Sequence, residues 1–82
     1  MGQANDSKIL TPALCRAARG LLDWTQMDLA GRAGVSRSTI RDYEGCRHDV
    51  HRATAAQLRL ALEDGGVVFM CLDDGRIGIC TG

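Results

Sequence analysis

Five arginines crowd one short stretch of this chain: Arg32, Arg37, Arg41, Arg47 and Arg52, against the three acids Asp42, Glu44 and Asp49. Arg37 and Arg41 are four residues apart, so on a helix they share a face one turn apart. The guanidinium is planar, always charged and carries a fork of donors. That fork matches O6 and N7 on the major-groove edge of guanine, a contact worth about 1 to 3 kcal/mol of discrimination. Ser36, Ser38 and Thr39 are interleaved with these arginines. Their hydroxyls can donate to phosphate oxygens, helped by the positive end of a helix dipole. Arg47, His48 and Arg52 follow in a polar stretch, 45–53, which the sequence presents as a loop that a nucleic-acid backbone could pass. Asp42 fits less simply. It repels phosphate, but it can accept from cytosine N4 or orient a neighbouring arginine.

Other chemistry finds little support. His48 and His51 are three residues apart but sit in a polar loop without a third ligand, so they read as solvated or phosphate-facing, and no metal site is expected. Cys15, Cys46, Cys71 and Cys80 form no C-x-x-C pair and no zinc framework. Four reduced thiols are the simplest reading; a redox pair would need Cys71 and Cys80 to face one another across a hairpin. Neither Ser36 nor Cys46 has a base placed beside it, so no catalytic residue is assigned, no cofactor is implied and no enzyme is expected.

The elements that must hold these side chains can be read from their caps. Thr11-Pro12 marks a helix start, and Leu14, Ala18, Leu21 and Leu22 recur at helical spacing. Arg16 and Arg19 lie three apart, near one face of that helix. Thr25 opens a second helix with Asp28 three residues on, a capping box with Asp in place of Glu or Gln. Gly34 ends it, since glycine takes the left-handed conformation freely. Ser36 caps a third helix over 37–44, with Ile40 and Tyr43 on one side and Arg37, Ser38, Arg41 and Asp42 on the other. Trp24 is expected to plug the space between the first two helices. Thr54 and Gln57 predict a fourth helix starting at 54, which Gly65-Gly66 stops. Val67 to Leu72 and Arg76 to Cys80 are then β-rich runs around the turn Asp73-Asp74-Gly75.

Gln26 to Gly45 therefore reads helix, three-residue turn, helix. Two helices crossing steeply need a small residue at the crossing, a residue tolerant of positive φ in the turn, and hydrophobic anchors after it. Ala30, Gly34, Val35 and Ile40 meet these needs at consistent spacing. On Thr25-Gln26-x-x-Leu29-Ala30, Ala33-Gly34-Val35-Ser36, Ile40 and Tyr43-Glu44-Gly45, the segment from about Lys8 to Gly65 resembles the phage-repressor helix-turn-helix family (lambda Cro/repressor-like, XRE-type). The resemblance implies a lambda-repressor-like four-helix domain that binds double-stranded DNA. It implies that Gln26 meets a phosphate and braces the recognition helix, with Thr25 beside it at the same helix end. It also implies that Arg37, Ser38 and Asp42 face bases, with Arg41 added by its spacing. Thr39 would touch the backbone, with Ser36, Arg47 and Arg52 as further phosphate contacts. Finally, it implies that Arg19 pairs with Glu44. It does not reach the β-rich tail.

The 82 residues of 8.8 kDa allow one small domain, which buries about 60% of its unfolded surface. Aromatics are 4%, so aliphatic side chains must fill the core. Ten Lys and Arg balance ten Asp and Glu, which excludes a general polybasic nucleic-acid coater. Residues 53–82 carry Arg59 and Arg76 against Glu63, Asp64, Asp73 and Asp74, so a basic middle precedes an acidic tail. No apolar run approaches the roughly 20 residues of a membrane span, and MGQANDSK lacks the pattern of a signal peptide.

The expected fold is mainly α: a flexible tail at 1–7, a helix-turn-helix domain over 8–65, and a short C-terminal β-hairpin over 66–82. Two strands do not stand alone. The hairpin must pack on the first and fourth helices or meet a partner, and a homodimer through this tail suits two half-sites about 34 Å apart. The expected function is a cytoplasmic, sequence-specific DNA-binding transcriptional regulator, a repressor reading the major groove with helix 37–44. Two alternatives stay open: an antitoxin-type protein that binds a toxin and its own promoter, and a protein-interaction module without DNA binding.

Overall fold

The computed structural model describes residues 10–81, so the expected tail at 1–7 lies outside the described residues. Four helices precede one hairpin: α1 (Pro12–Leu22), α2 (Gln26–Ala33), α3 (Arg37–Glu44), α4 (Arg52–Asp64), β1 (Val67–Cys71) and β2 (Ile77–Thr81).

Side-chain caps start the first three helices. Thr11 Oγ1 accepts from the Leu14 N–H at 3.1 Å, and Pro12 takes the first helical position, where its missing N–H costs nothing. Thr25 and Asp28 close both halves of the capping box, at 3.0 and 2.9 Å. Ser36 Oγ accepts from the Thr39 N–H at 3.1 Å. Gly34 ends α2 at φ 73°, and its N–H reaches the Ala30 carbonyl at 3.0 Å.

The fourth helix corrects the sequence reading. It begins at Arg52 rather than Thr54, with His51 at the N-cap and no side-chain cap bond. Gln57 does not reach back to close a box around Thr54. Its amide donates to the Ala33 carbonyl at 3.3 Å, an orphan acceptor at the end of α2. A tertiary partner has displaced the local one, and the helix starts two residues earlier, with the Ala55 N–H on the His51 carbonyl at 2.9 Å. Arg52 is thus in a helix and not in the loop.

Leu29, Ile40, Leu58, Leu62 and Cys15 are fully buried where the four helices meet, and Ala18, Ala30 and Ala61 let the helices approach closely. Trp24 is half-buried against this core, with the Arg32 guanidinium 4.5 Å from its ring centre.

The hairpin is antiparallel, with Val67 paired to Thr81 and Cys71 to Ile77. Leu72 and Arg76 close a three-residue loop in which Gly75 takes φ 89°. Side chains alternate across a sheet, so Val67, Phe69, Ile77 and Ile79 share one face and Val68, Met70 and Cys80 the other. The first face packs on α1 and α4, with Val67 buried. Val68 and Met70 remain exposed on the second, and Leu72 is exposed just beyond the end of β1. Cys71 and Cys80 therefore point to opposite faces and do not oppose one another, and all four cysteines are free thiols.

Candidate nucleic-acid interface

Glu44 organises the site. It is the one buried charged residue among those described, at 3% exposure, and sits at the C-terminal end of α3. Arg19 of α1 meets its carboxylate as a fork: Nε to Oε2 at 2.8 Å and Nη2 to Oε1 at 2.7 Å. The remaining end of that guanidinium donates to the Trp24 carbonyl at 2.9 Å. Gln26 Nε2 donates to Oε1 at 3.1 Å, and the Cys15 thiol donates to Oε2 at 3.1 Å. Residues from α1, α2 and α3 thus converge on one carboxylate.

The electrostatics follow from these bonds. Burial works against the charged form of Glu44, but the donors Arg19, Cys15 and Gln26 outweigh it and hold the carboxyl below the usual range. Arg19 is held more firmly protonated by its bond to Glu44. Burial, and then the bond to Glu44, pushes the Cys15 thiol far up, so it stays protonated and serves as a donor. Burial also pushes Tyr43 up to about 12, and its hydroxyl donates to the Leu10 carbonyl at 3.2 Å.

This anchorage fixes the outward face of α3. Arg37, Ser38 and Arg41 are exposed there, and Asp42 is half-buried. Asp42 Oδ1 lies 3.6 Å from Arg41 Nε and 3.9 Å from Arg47 Nη1, so it orients two arginines loosely. At the N-terminus of α3, Ser36 Oγ lies 2.7 Å from Thr39 Oγ1 and 3.2 Å from Ser38 Oγ, a cluster of hydroxyls beside free backbone donors. Thr25 and Gln26 occupy the equivalent end of α2.

Two clefts flank α3. Arg16, Arg19, Gln26, Arg41, Glu44 and Arg47 line the one toward α1. Thr39, Asp42, His48, Asp49 and His51 line the other, which carries two carboxylates and no arginine. Arg52 lines neither. It belongs with Leu10, Ala56 and Leu60 to an apolar groove along α4, apart from the side chains grouped around α3. Among the described residues no group of three His, Cys, Asp or Glu is placed to hold a metal ion, and no helix is long and apolar enough to cross a membrane.

Arg16 is the participant that sequence reasoning left out. Its Nη1 donates to the Glu44 backbone carbonyl at the end of α3. Its spacing to Arg19 was the available signal, since both share the α1 face that meets α3.

A helix packed against the one before it across a glycine turn, with an exposed arginine face and a bridged C-terminus, defines a helix-turn-helix unit. Residues 16–44 match the family model described as Helix-turn-helix, a span that runs from Arg16 in α1 to Glu44 at the end of α3. The match is consistent with a Cro- and repressor-like helix-turn-helix family over this segment, and it does not reach α4 or the hairpin. A comparison with curated proteins gives no match.

Proposed function

We propose that this chain is a sequence-specific transcriptional regulator, a repressor that acts by occupying its operator. The observation that carries the reading is the exposed trio Arg37, Ser38 and Arg41 on a helix whose far end is pinned through Glu44. In this reading α3 lies in the major groove. Arg37 and Arg41 take guanine edges, Ser38 and Asp42 face neighbouring bases, and Asp42 also aims Arg41. Thr25, Gln26, Ser36, Thr39 and Arg47 hold phosphates and fix the register. Arg52 supports this less well, given its place on α4.

The chain works as a homodimer in the cytoplasm, with the hairpin's outer face, Val68 and Met70, and the neighbouring Leu72 as the contact surface. Two copies then present recognition helices to half-sites about 34 Å apart and block polymerase access. The 66–82 hairpin is the assembly element and 8–65 the reading element. No catalysis and no cofactor enter this mechanism.

One observation favours a second reading. The same exposed hairpin face would suit an antitoxin whose toxin partner covers it. An interaction module without DNA binding would leave the arginine face of α3 unused.

The test is selection from random duplex DNA by the purified protein. An enriched inverted repeat with half-sites one turn apart supports the reading. No enrichment at low salt, where phosphate contacts are strongest, overturns it.

A further inference from the structure

We infer that the groove along α4 is a docking face for a second copy of this chain, with the two α4 helices antiparallel about a two-fold axis between Gln57 and Leu58. The groove shares no lining residue with the clefts beside α3 and lies apart from the outer face of the hairpin. The inference does not rest on the DNA-binding reading.

Arg52, Ala55, Ala56, Arg59, Leu60 and Glu63 line the groove from one end of α4 to the other. Their spacing of three and four puts them on one face of the helix. Leu60 is 60% exposed, a large apolar side chain with most of its surface in water. Arg52 is exposed, and among the described residues no carboxylate stands at ion-pair distance from it. Glu63 is half-buried and accepts from Arg59 Nε through Oε2 at 3.1 Å. A carboxylate has room for further donors. Arg59 also lies over the Phe69 ring, 5.8 Å from its centre, and is thus a fixed wall of the groove.

The pattern of this face is its own complement. Reversing the helix about its midpoint exchanges 52 with 63, 55 with 60 and 56 with 59, so the set of lining positions on α4 maps onto itself. Arg52 then meets the partner's Glu63 at one end, and Glu63 meets the partner's Arg52 at the other. Leu60 comes over the partner's Ala56, whose methyl group leaves room for it. The aliphatic stem of Arg59 lies along the partner's Ala55. Charge meets opposite charge and bulk meets a gap, and the two-fold axis makes each contact twice. A parallel pairing would instead set like charges side by side at both ends. The contact is small. Stable interfaces use about 20 to 30 residues a side, so copies should join through α4 only toward millimolar concentration, after the dimer proposed through the hairpin has formed. Copies joined in this way keep the arginine faces of α3 open.

The experiment is sedimentation equilibrium of the full chain from micromolar to millimolar concentration. Wild type is compared with Arg52→Glu, with Glu63→Arg, with the double swap, and with an equal mixture of the two single variants. Each substitution places a charge that suits the dipole at its own end of α4, so folding should persist, and circular dichroism checks it. Wild type should gain mass with concentration. Each single variant should need about tenfold more protein for the same gain, because the two-fold axis sets like charges together at both ends. The double swap should recover the wild-type curve. The mixture should regain mass as well, since each variant supplies the charge that the other lacks. Leu60→Ala should weaken the gain with every charge in place. The same pattern is expected on the Val68→Asp/Met70→Asp background, starting from a monomer, so failure of the hairpin contact and failure of this one are read separately. A wild type whose mass does not rise toward millimolar concentration, single variants that match wild type, or a mixture as inert as its parts would overturn the contact and leave the groove to another occupant.

Discussion

Arg19 and Glu44, 25 residues apart in the chain, meet through two parallel hydrogen bonds of 2.8 and 2.7 Å. Side-chain exposure is 18% for the arginine and 2% for the glutamate. The pair therefore sits where losing one partner strands a charge. Arg19→Ala leaves the Glu44 carboxylate buried with only neutral donors. A loss of about 3 kcal/mol is expected in urea unfolding, the low end for a broken buried pair. Adding Glu44→Gln to Arg19→Ala should recover part of it, because the stranded charge is then gone. Two variants with equal midpoints would mean that the pair is no more than a surface contact.

Acid should unfold the protein through the same carboxylate. Burial opposes ionisation of Glu44, but its donors prevail and the folded carboxyl titrates below the ordinary value of 4.5. A depressed folded value stabilises the native state above the unfolded value, and that stabilisation is lost as pH falls through the folded one. The thermal midpoint of wild type should fall on acidification across and below that range. Glu44→Gln should flatten the fall without abolishing it, since Asp28 is also held low, by the Thr25 N–H. Parallel curves for the two proteins would contradict the assignment.

Gly65 tests the packing behind the site. Its φ of −77° suits any residue, so alanine there would gain from a stiffer unfolded chain. A methyl group would, however, come within 2.6 Å of the Trp24 ring and 2.8 Å of Leu22 Cδ1. Overpacking of this kind costs about 1 to 3 kcal/mol, so the steric effect wins. Gly65→Ala should lower stability and alter the emission of Trp24, the only tryptophan. A more stable variant would show that the α1–α2 corner yields freely.

The hairpin's outer face supplies the test of assembly. Val68→Asp with Met70→Asp places charge on the face away from the core, so folding should persist. If the proposed dimer forms through this face, light scattering should report a dimer for wild type and a monomer for the variant. A variant that stays dimeric moves the interface elsewhere.

Much of this architecture was written locally. Thr11, Thr25 and Ser36 satisfy backbone donors within their own first turns, so the starts of α1, α2 and α3 needed no tertiary information. Thr54 misled because its partner Gln57 is engaged by Ala33, 24 residues away in the chain. The end of α3 was legible at Gly45, but the left-handed turn falls one residue later, at Cys46 with φ 60°. Cys71 and Cys80 depended on register, which the three-residue loop sets and which puts them on opposite faces. Arg16 was hidden for a similar reason. Its spacing to Arg19 put it on the face that meets α3, but its partner is the Glu44 backbone carbonyl, which no side-chain pattern states.

The central claim is that the exposed face of α3 reads base sequence, and selection from random duplex DNA by wild type beside Arg37→Ala/Arg41→Ala tests it most directly. Both arginines are exposed, so the double variant should stay folded. The account predicts an enriched inverted repeat for wild type and, for the variant, loss of that preference with weak salt-sensitive binding retained. A variant that enriches the same sequence would contradict it.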